Sequence, residues 1–424
     1  MSESLPAQWA RIRSRLRAEY GEAAYRSWLK PLTLSGTSDE VVQLTVPTRF
    51  MRDWVEAQYG ERLLSLWTSE NTLIKNVDIL LEGSAAAQLV ESQAATMKTA
   101  AVTEAQQAES LGLGKVWLSE RFDVKDAGVI CSAALASTTS IRVATAGTNL
   151  HTRHPIVLAT MCSSLHYLSG GRFTLGLARG VSIRNELMGL KSVNNQKFVE
   201  GINILRQLWR GEKVMGYDGP MGNLPYLSMG NWLNADIPIH FVGFGAKSLS
   251  FAGEHFDGAH LHTFITDHGL RRAKTMLNEG EEKAGRAPNT VEMWPVLATA
   301  VNPSREDYLR KMVGRMATYM QAPGYAEMLI ALNEWDTEPL EAFRANKTVS
   351  SIAGGIDSIA TLEQLDEIST LIPDEWLPSA SGSTEECALA WKNQFDNGAD
   401  GLVIHGSTPE EFAPVVKAYE ALKA

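Results

Sequence analysis

Two hydrophobic rhythms divide the chain. Up to residue 82 the apolar positions describe a short mixed domain. Pro6 to Leu16 and Glu22 to Leu29, rich in Ala, Arg and Trp, read as two short helices. Leu32 to Leu34 and Val41 to Val46 read as a pair of strands, with Gly36-Thr37-Ser38-Asp39 as the turn between them. Thr48 to Trp67 predicts a longer helix. Thr48 is its expected N-cap, and Phe50, Trp54, Tyr59, Leu63 and Leu64 supply apolar positions near helical spacing. Ile74 to Leu81 predicts a last strand. The order is α-α-β-β-α-β, a small α+β domain over residues 1–82.

Residues 83–96 are rich in Ala, Ser and Gln with little apolar periodicity, and read as a linker or a poorly specified helix. From 97 to 424 the rhythm changes to helix and buried strand in alternation. Helix 99–111 leads to strand 115–119, helix 127–136 to strand 141–148, and helix 155–168 to strand 173–177. The same alternation continues through strands 237–243, 258–263, 291–301 and 401–405. Short β-branched runs separated by helices of ten to fifteen residues mean a parallel sheet, and seven or eight such units suggest a closed (β/α)8 TIM barrel. Two interruptions, about 213–236 and 322–380, are too long for simple loops and are expected to be insertions over the active face. The barrel also needs a strand before helix 99–111. Only Val77–Leu81 and the weak Gln88–Glu91 are available, and the first is already the last strand of the small domain.

Charge and composition narrow the functions. The net charge of −10 argues against a direct nucleic-acid partner held by clustered Lys and Arg. The hydrophobic content of 44% suits a protein that buries a large core. Cys131, Cys162 and Cys387 lie far apart, without the close spacing of a zinc site or redox motif, and are expected to be buried free thiols. No apolar run approaches a membrane span and no secretory signal opens the chain, so a cytoplasmic protein with no membrane association is expected.

Barrel enzymes place reactive groups where strands end. The second barrel strand, 115–119, runs into Ser119-Glu120-Arg121, whose Glu-Arg pair is suited to orienting a planar anionic group or to a plain rim salt bridge. The next runs through Thr145, Ala146, Gly147 and Asn149 to His151, Arg153 and His154, where small residues let a flat ring approach the backbone. A lone His is usually structural, but two with an Arg at one strand end mark a candidate site. Arg179 follows the strand after that, placed to meet a phosphate or a ring carbonyl. Gly243-Phe244-Gly245-Ala246 then stands directly before a helix, a ready anion cradle, with His262-Thr263 at the neighbouring strand end.

The segments SGGRFTLGLARG, LGLGKVWLSERF, TRHP and VGFGAKSLSFAGEHFDGAHLHTF closely resemble the luciferase-like flavin monooxygenase superfamily. LIPDEWLPSASGSTEEC and GADGLVIHGSTPEE resemble its subgroup dependent on the deazaflavin coenzyme F420. The resemblance covers about 97–424. It implies an isoalloxazine-like ring at the strand C-termini, a non-proline cis peptide near Thr145–Gly147 behind it, and a cofactor phosphate at Gly243–Ala246 and His262–Thr263. It also implies an enzyme acting on a small organic molecule, as a homo-oligomer. Glu120, Arg121, His151 and Arg179 would orient that molecule or handle a proton. The alternative within the class is an FMN-dependent monooxygenase. Two departures weaken a sugar-phosphate dehydrogenase mechanism: Glu120-Arg121 replaces the acid-then-His pair of many relatives, and Val181 stands where some deazaflavin dehydrogenases carry Glu.

The earlier segments YRSWLKPLTLSG and VPTRFMRDWVEAQYGERL resemble the N-terminal interaction domain of the replication initiator DnaA, over about 5–80. That KH-like α+β domain implies a protein partner, with Trp28 and Phe50 at positions matching its contact region. Trp28 and Trp54 also suit a plain aromatic core. No Gly-x-x-x-x-Gly-Lys-Ser/Thr phosphate loop accompanies it, so ATP-driven initiator activity is not expected. The reading from another class is a non-catalytic interaction module carried on a damaged barrel.

Overall fold

The structure, a computed structural model, describes residues 5–38, 40–46, 49–81, 101–122, 125–180, 185–186, 188–191, 193–352 and 354–423. The chain divides into two compact units, Met1–Met97 and Lys98–Ala424.

The first unit opens with helix Leu5–Ala24, whose helical geometry breaks at Gly21 (φ 78°, ψ 166°), and continues into the π-turn Tyr25–Leu29. A left-handed φ costs glycine little, so the two-helix reading is met by one helix with a break. β1 (Thr33–Ser38) and β2 (Val41–Val46) pair antiparallel, and β3 (Asn76–Leu81) joins β2 in parallel. The expected turn at Gly36 is displaced. Gly36 sits inside β1 at a register shift, and the chain reverses around Glu40, which has φ 69°. Helix Arg49–Glu70 covers the sheet, and Trp9 stacks on Trp67 at 5.8 Å within a core of Ile12, Leu16, Val42 and Leu44. The expected cap Thr48 lies outside the described residues. β3 contains Val77–Leu81, so the contested strand belongs to this unit's sheet. Gln88–Glu91 and the predicted linker lie outside the described residues.

The second unit is a parallel (β/α) barrel of TIM type. β4 (Lys115–Leu118), β5 (Arg142–Thr145), β7 (Phe173–Ala178), β10 (Ile239–Val242), β11 (Gly258–His260) and β12 (Glu292–Trp294) neighbour one another in that order. The short β6 (Thr148–Asn149) pairs with β7. Only Pro295 separates β12 from β13 (Val296–Val301), which pairs in parallel with β14 (Ala380–Gly382) and β15 (Val403–His405). Intervening helices include Ala127–Ala136, Pro155–Leu168, Asn195–Trp209, Ala246–His255 and Asp267–Lys283. Their starts are fixed by side-chain caps where the sequence offers them: Asp126, His154, Asn194 and Thr266 each accept a backbone N–H of the first turn. The insertion at 213–236 is a hairpin of β8 (Val214–Gly219) and β9 (Gly222–Leu227), and the later one is largely helical, including Tyr325–Asn333 and Leu362–Ser369.

Strand burial drives this unit. Phe173, Leu175 and Leu177 are at most 1% exposed, and each such side chain contributes about 1.5–3 kcal/mol when fully buried. Cys131, Cys162 and Cys387 are buried and free. No helix among the described residues is long and apolar enough to cross a membrane.

Candidate functional site

The upper rim of the barrel is built around one close backbone approach. The Thr145 hydroxyl donates to the Gly176 carbonyl at 2.8 Å and accepts the Gly176 N–H at 2.9 Å, locking β5 to β7. A Cβ on Gly176 would lie 1.9 Å from the Thr145 carbonyl oxygen, so only glycine fits there. Immediately beyond, the Ala146–Gly147 peptide is cis, at the position the resemblance implied. Gly147 packs against Val242 and the β7 backbone, which brings the β5 end beside the Gly243 turn.

Around this point several buried polar atoms lack any hydrogen-bond partner: Thr148 Oγ1, Asn149 Oδ1, both ring nitrogens of His151, Thr263 Oγ1 and His405 Nδ1. Each sits at or just past the C-terminal end of a barrel strand. Burying such a group unpaired costs about 1–3 kcal/mol, so five residues in this state on one rim are a strong departure from ordinary packing. Burial lowers the His151 pKa, leaving its ring neutral and able to accept a proton.

On the other side, Gly245 caps helix Ala246–His255 without a side-chain bond, and the first internal bonds run from Ser248 and Leu249 to the Gly245 carbonyl. The leading amides of that helix therefore face outward, where the macrodipole favours an anion. The His262 ring is enclosed by Phe244 (4.7 Å), Tyr319 (4.3 Å) and Tyr325 (5.1 Å), and its Nδ1 meets the Thr263 carbonyl. Burial lowers His262 to about 3, with His405 and Arg315 adding repulsion, and lowers His260 and His405 to about 4 each. Arg315 pairs with Asp357 at 3.2 Å. Tyr319, Tyr325, Arg315 and His405 were not singled out in the sequence. Arg315 and Tyr319 lie in helix Arg315–Gln321, just before the later insertion, and Tyr325 opens helix Tyr325–Asn333 within it; none belongs to a motif, and His405 was read only as the end of a strand.

Two of the predicted contacts, Glu120 and Arg179, face the protein. Glu120 has a side chain 1% exposed and is gripped by both arms of Arg153, one at 2.9 Å, while the same guanidinium reaches Asp126. Arg179 bonds the Val193 carbonyl at 3.0 Å and Asn195 at 2.6 Å, and lies 5.2 to 5.7 Å from the rings of Phe198, Phe241 and Phe251. Arg121 is exposed and pairs through its backbone with Lys125. Val181 lies outside the described residues. In the first unit Trp28 packs on Trp54 at 5.3 Å, and Trp54 is 41% exposed. Phe50 lies in helix Arg49–Glu70, and its side chain is outside the described residues. No group of three or more His, Cys, Asp or Glu gathers as a metal site among the described residues.

A parallel barrel with orphaned polar atoms and a helix N-terminus at the strand C-termini has the architecture of a barrel enzyme with a polar ligand on its upper face. Residues 83–388 match the family model described as luciferase-like monooxygenase, and the chain belongs to that family. Residues 6–69 match the DnaA N-terminal domain.

The chromosomal replication initiator DnaA of Gluconobacter oxydans is 44% identical over 75 residues, 18% of this chain and 16% of that protein. The 5,10-methylenetetrahydromethanopterin reductase of Methanolobus tindarius is 31% identical over 189 residues, 44% of this chain and 56% of that protein. The chain thus spans about a sixth of the first relative's length and little more than half of the second's. The fold resembles the coenzyme F420 dependent tetrahydromethanopterin reductase of Methanopyrus kandleri, with TM-score 0.62 and 16% identity over 76% of this chain and 95% of that one. It also resembles the FMN complex of the oxygenating constituent of 3,6-diketocamphane monooxygenase from Pseudomonas putida, with TM-score 0.51 and 19% identity over 76% and 90%.

Proposed function

We propose that the barrel binds coenzyme F420 and transfers hydride to or from a small organic substrate. The orphaned polar atoms on the rim carry this reading, because a flat ring edged with carbonyl and N–H groups would supply partners of the kind they lack. Thr145–Gly147 would provide the backbone platform behind such a ring, and Asn149 and Thr263 would hold its edge. The leading amides of helix Ala246–His255, after Gly243-Phe244-Gly245, would hold the phosphate. When bound, the deazaflavin supplies the hydride donor or acceptor.

The chain's own part is to position and to manage a proton. His151, neutral through burial, takes or returns the proton that accompanies hydride transfer. Glu120 acts through Arg153 and Asp126, fixing the loop that carries His151. Arg179 braces the wall under the rim through its Phe contacts and Asn195. Tyr319 and Tyr325, from the helices Arg315–Gln321 and Tyr325–Asn333, help exclude water from His262.

FMN with oxygen is the second reading, supported by the likeness to an FMN-bound monooxygenase fold. Residues 1–82 form a separate protein-docking module on this reading, with Trp28 and Phe50 on its contact face and 83–96 as linker. Side-by-side titration of the purified chain with F420 and with FMN, followed by absorbance and fluorescence, tests the assignment. Saturable F420 binding that His151→Ala weakens supports it, FMN binding alone transfers it to the second reading, and silence toward both removes it.

A further inference from the structure

An imidazole handles a proton cleanly when one ring nitrogen is reserved as the acceptor, and the hydrogen bond made by the other nitrogen sets which one that is. Both nitrogens of His151 are buried, and no hydrogen bond of full geometry closes on either. The polar side chain that acts on the ring is that of Asn185. It stands on the connection between β7 and helix Asn195–Trp209, and no motif in the sequence marks it.

The fold holds Asn185 from several sides. The residue is 2% exposed. Its backbone carbonyl accepts the N–H groups of Met188 at 3.1 Å and Leu190 at 2.8 Å, closing a tight turn. Its side-chain Nδ2 donates to the Arg179 carbonyl at 3.1 Å. That bond fixes which end of the carboxamide is nitrogen and leaves Oδ1 as the acceptor end. Gly180, with φ 73°, gives the side chain its room: a Cβ there would stand 3.0 Å from Nδ2 and Oδ1 of Asn185 and from Oδ1 of Asn149. The two carboxamides thus flank one glycine, and Asn149 lies two residues before His151.

The electrostatics carry the sign of an acceptor. Burial lowers the His151 pKa, Asn185 works against that lowering, and Lys197 of helix Asn195–Trp209 adds repulsion. A carboxamide donating to the ring would favour its neutral form, whereas an oxygen accepting a ring N–H favours the protonated one.

We propose that Asn185 is a positioning residue for His151: its Oδ1 accepts the N–H of one ring nitrogen, so that the other nitrogen presents its lone pair to the rim. The use of that lone pair rests on the proton role given to His151 under the F420 reading, while the tautomer itself needs no cofactor.

The test uses the full chain, without cofactor, labelled with 13C and 15N histidine. The His151 signals are those missing from His151→Ala. In the parent at neutral pH the two ring 15N shifts should lie far apart, as in a single neutral tautomer. Asn185→Leu keeps the volume without the oxygen; it should average the two shifts and lower the proton affinity of the ring about fivefold, the worth of one hydrogen bond. Asn185→Asp returns an acceptor oxygen and should restore the single tautomer, with a proton affinity above that of Asn185→Leu. Averaged shifts in the parent would overturn the proposal, whether or not either variant folds. A residue that only props the loop would lower the melting temperature of Asn185→Leu and leave tautomer and titration as they are, which also overturns it. F420 plays no part in these readings, so a failed cofactor titration and a failed tautomer assignment are told apart.

Discussion

The rim after β4 and the rim after β5 both carry polar residues of the kind that hold ligands, yet the protein treats them differently. After β4, the buried carboxylate of Glu120 is saturated by Arg153, and that guanidinium also holds Asp126. After β5, Thr148, Asn149 and His151 are just as enclosed but keep unpaired atoms. Residue type does not separate the two rims; partner satisfaction does. A buried charge must be neutralised within the fold or the fold pays several kcal/mol. A buried neutral imidazole or amide costs less when left open, and can be reserved for a ligand.

The comparison is sharpened first at the glycine beneath the β5 rim. Gly176→Ala forces a Cβ to within 1.9 Å of the Thr145 carbonyl, so the barrel should lose its cooperative thermal transition. A variant that melts like the parent would refute the described approach of β5 and β7. Next comes Arg153→Ala, which strands the Glu120 carboxylate. The expected loss is about 3–5 kcal/mol in urea unfolding, with Glu120→Gln in the same background recovering part of it. Equal stability with and without Arg153 would show that the β4 rim is not held by this pair.

His151→Ala should do the reverse. No hydrogen bond of full geometry closes on its nitrogens, and the one polar side chain that acts on the ring is that of Asn185, so stability should shift by less than about 1 kcal/mol, while ring affinity falls roughly tenfold, a loss of about 1.4 kcal/mol. A large stability loss with unchanged affinity would give His151 a structural role instead.

Acid should separate the regions more gently. His262, His260 and His405 have folded pKa values of about 3, 4 and 4, all below the unfolded value of about 6.5. The unfolded chain therefore binds more protons as pH falls below about 6.5, and stability declines from there until the folded values are reached. Melting temperature between pH 7 and pH 4.5 should drop, and His405→Gln should flatten the slope. The smallest effect on the barrel is expected from Trp28→Ala, which should leave F420 titration unaltered and lower affinity only for a protein partner, measured by calorimetry.

Much of the fold was legible in the chain. The alternation of helices with β-branched runs announced a parallel barrel because parallel strands are buried on both faces. The small domain's elements followed from apolar spacing, although the turn expected at Gly36 fell at Glu40 because Gly36 is used for a bulge. The site was legible in part. Small residues at the β5 end and the Gly243–Ala246 turn drew notice because their local chemistry is independent of partners. Glu120 and Arg179 looked like ligand contacts for the same reason, and nothing local revealed Arg153 or the Phe cluster that engages them. Tyr319, Tyr325 and Arg315 carry no motif and reach the rim only through packing of the helices Arg315–Gln321 and Tyr325–Asn333.

By itself the sequence determined the alternation of strands and helices that builds the barrel, and that two families meet in one chain. Those are short-range properties, set by periodicity, glycine geometry and capping. Tertiary structure alone decided which polar groups are paired and which stay open, and that Val77–Leu81 serves the first unit's sheet. Pairing depends on contacts between residues far apart along the chain, such as Glu120 with Arg153 or Arg315 with Asp357, and spacing along the sequence does not encode them.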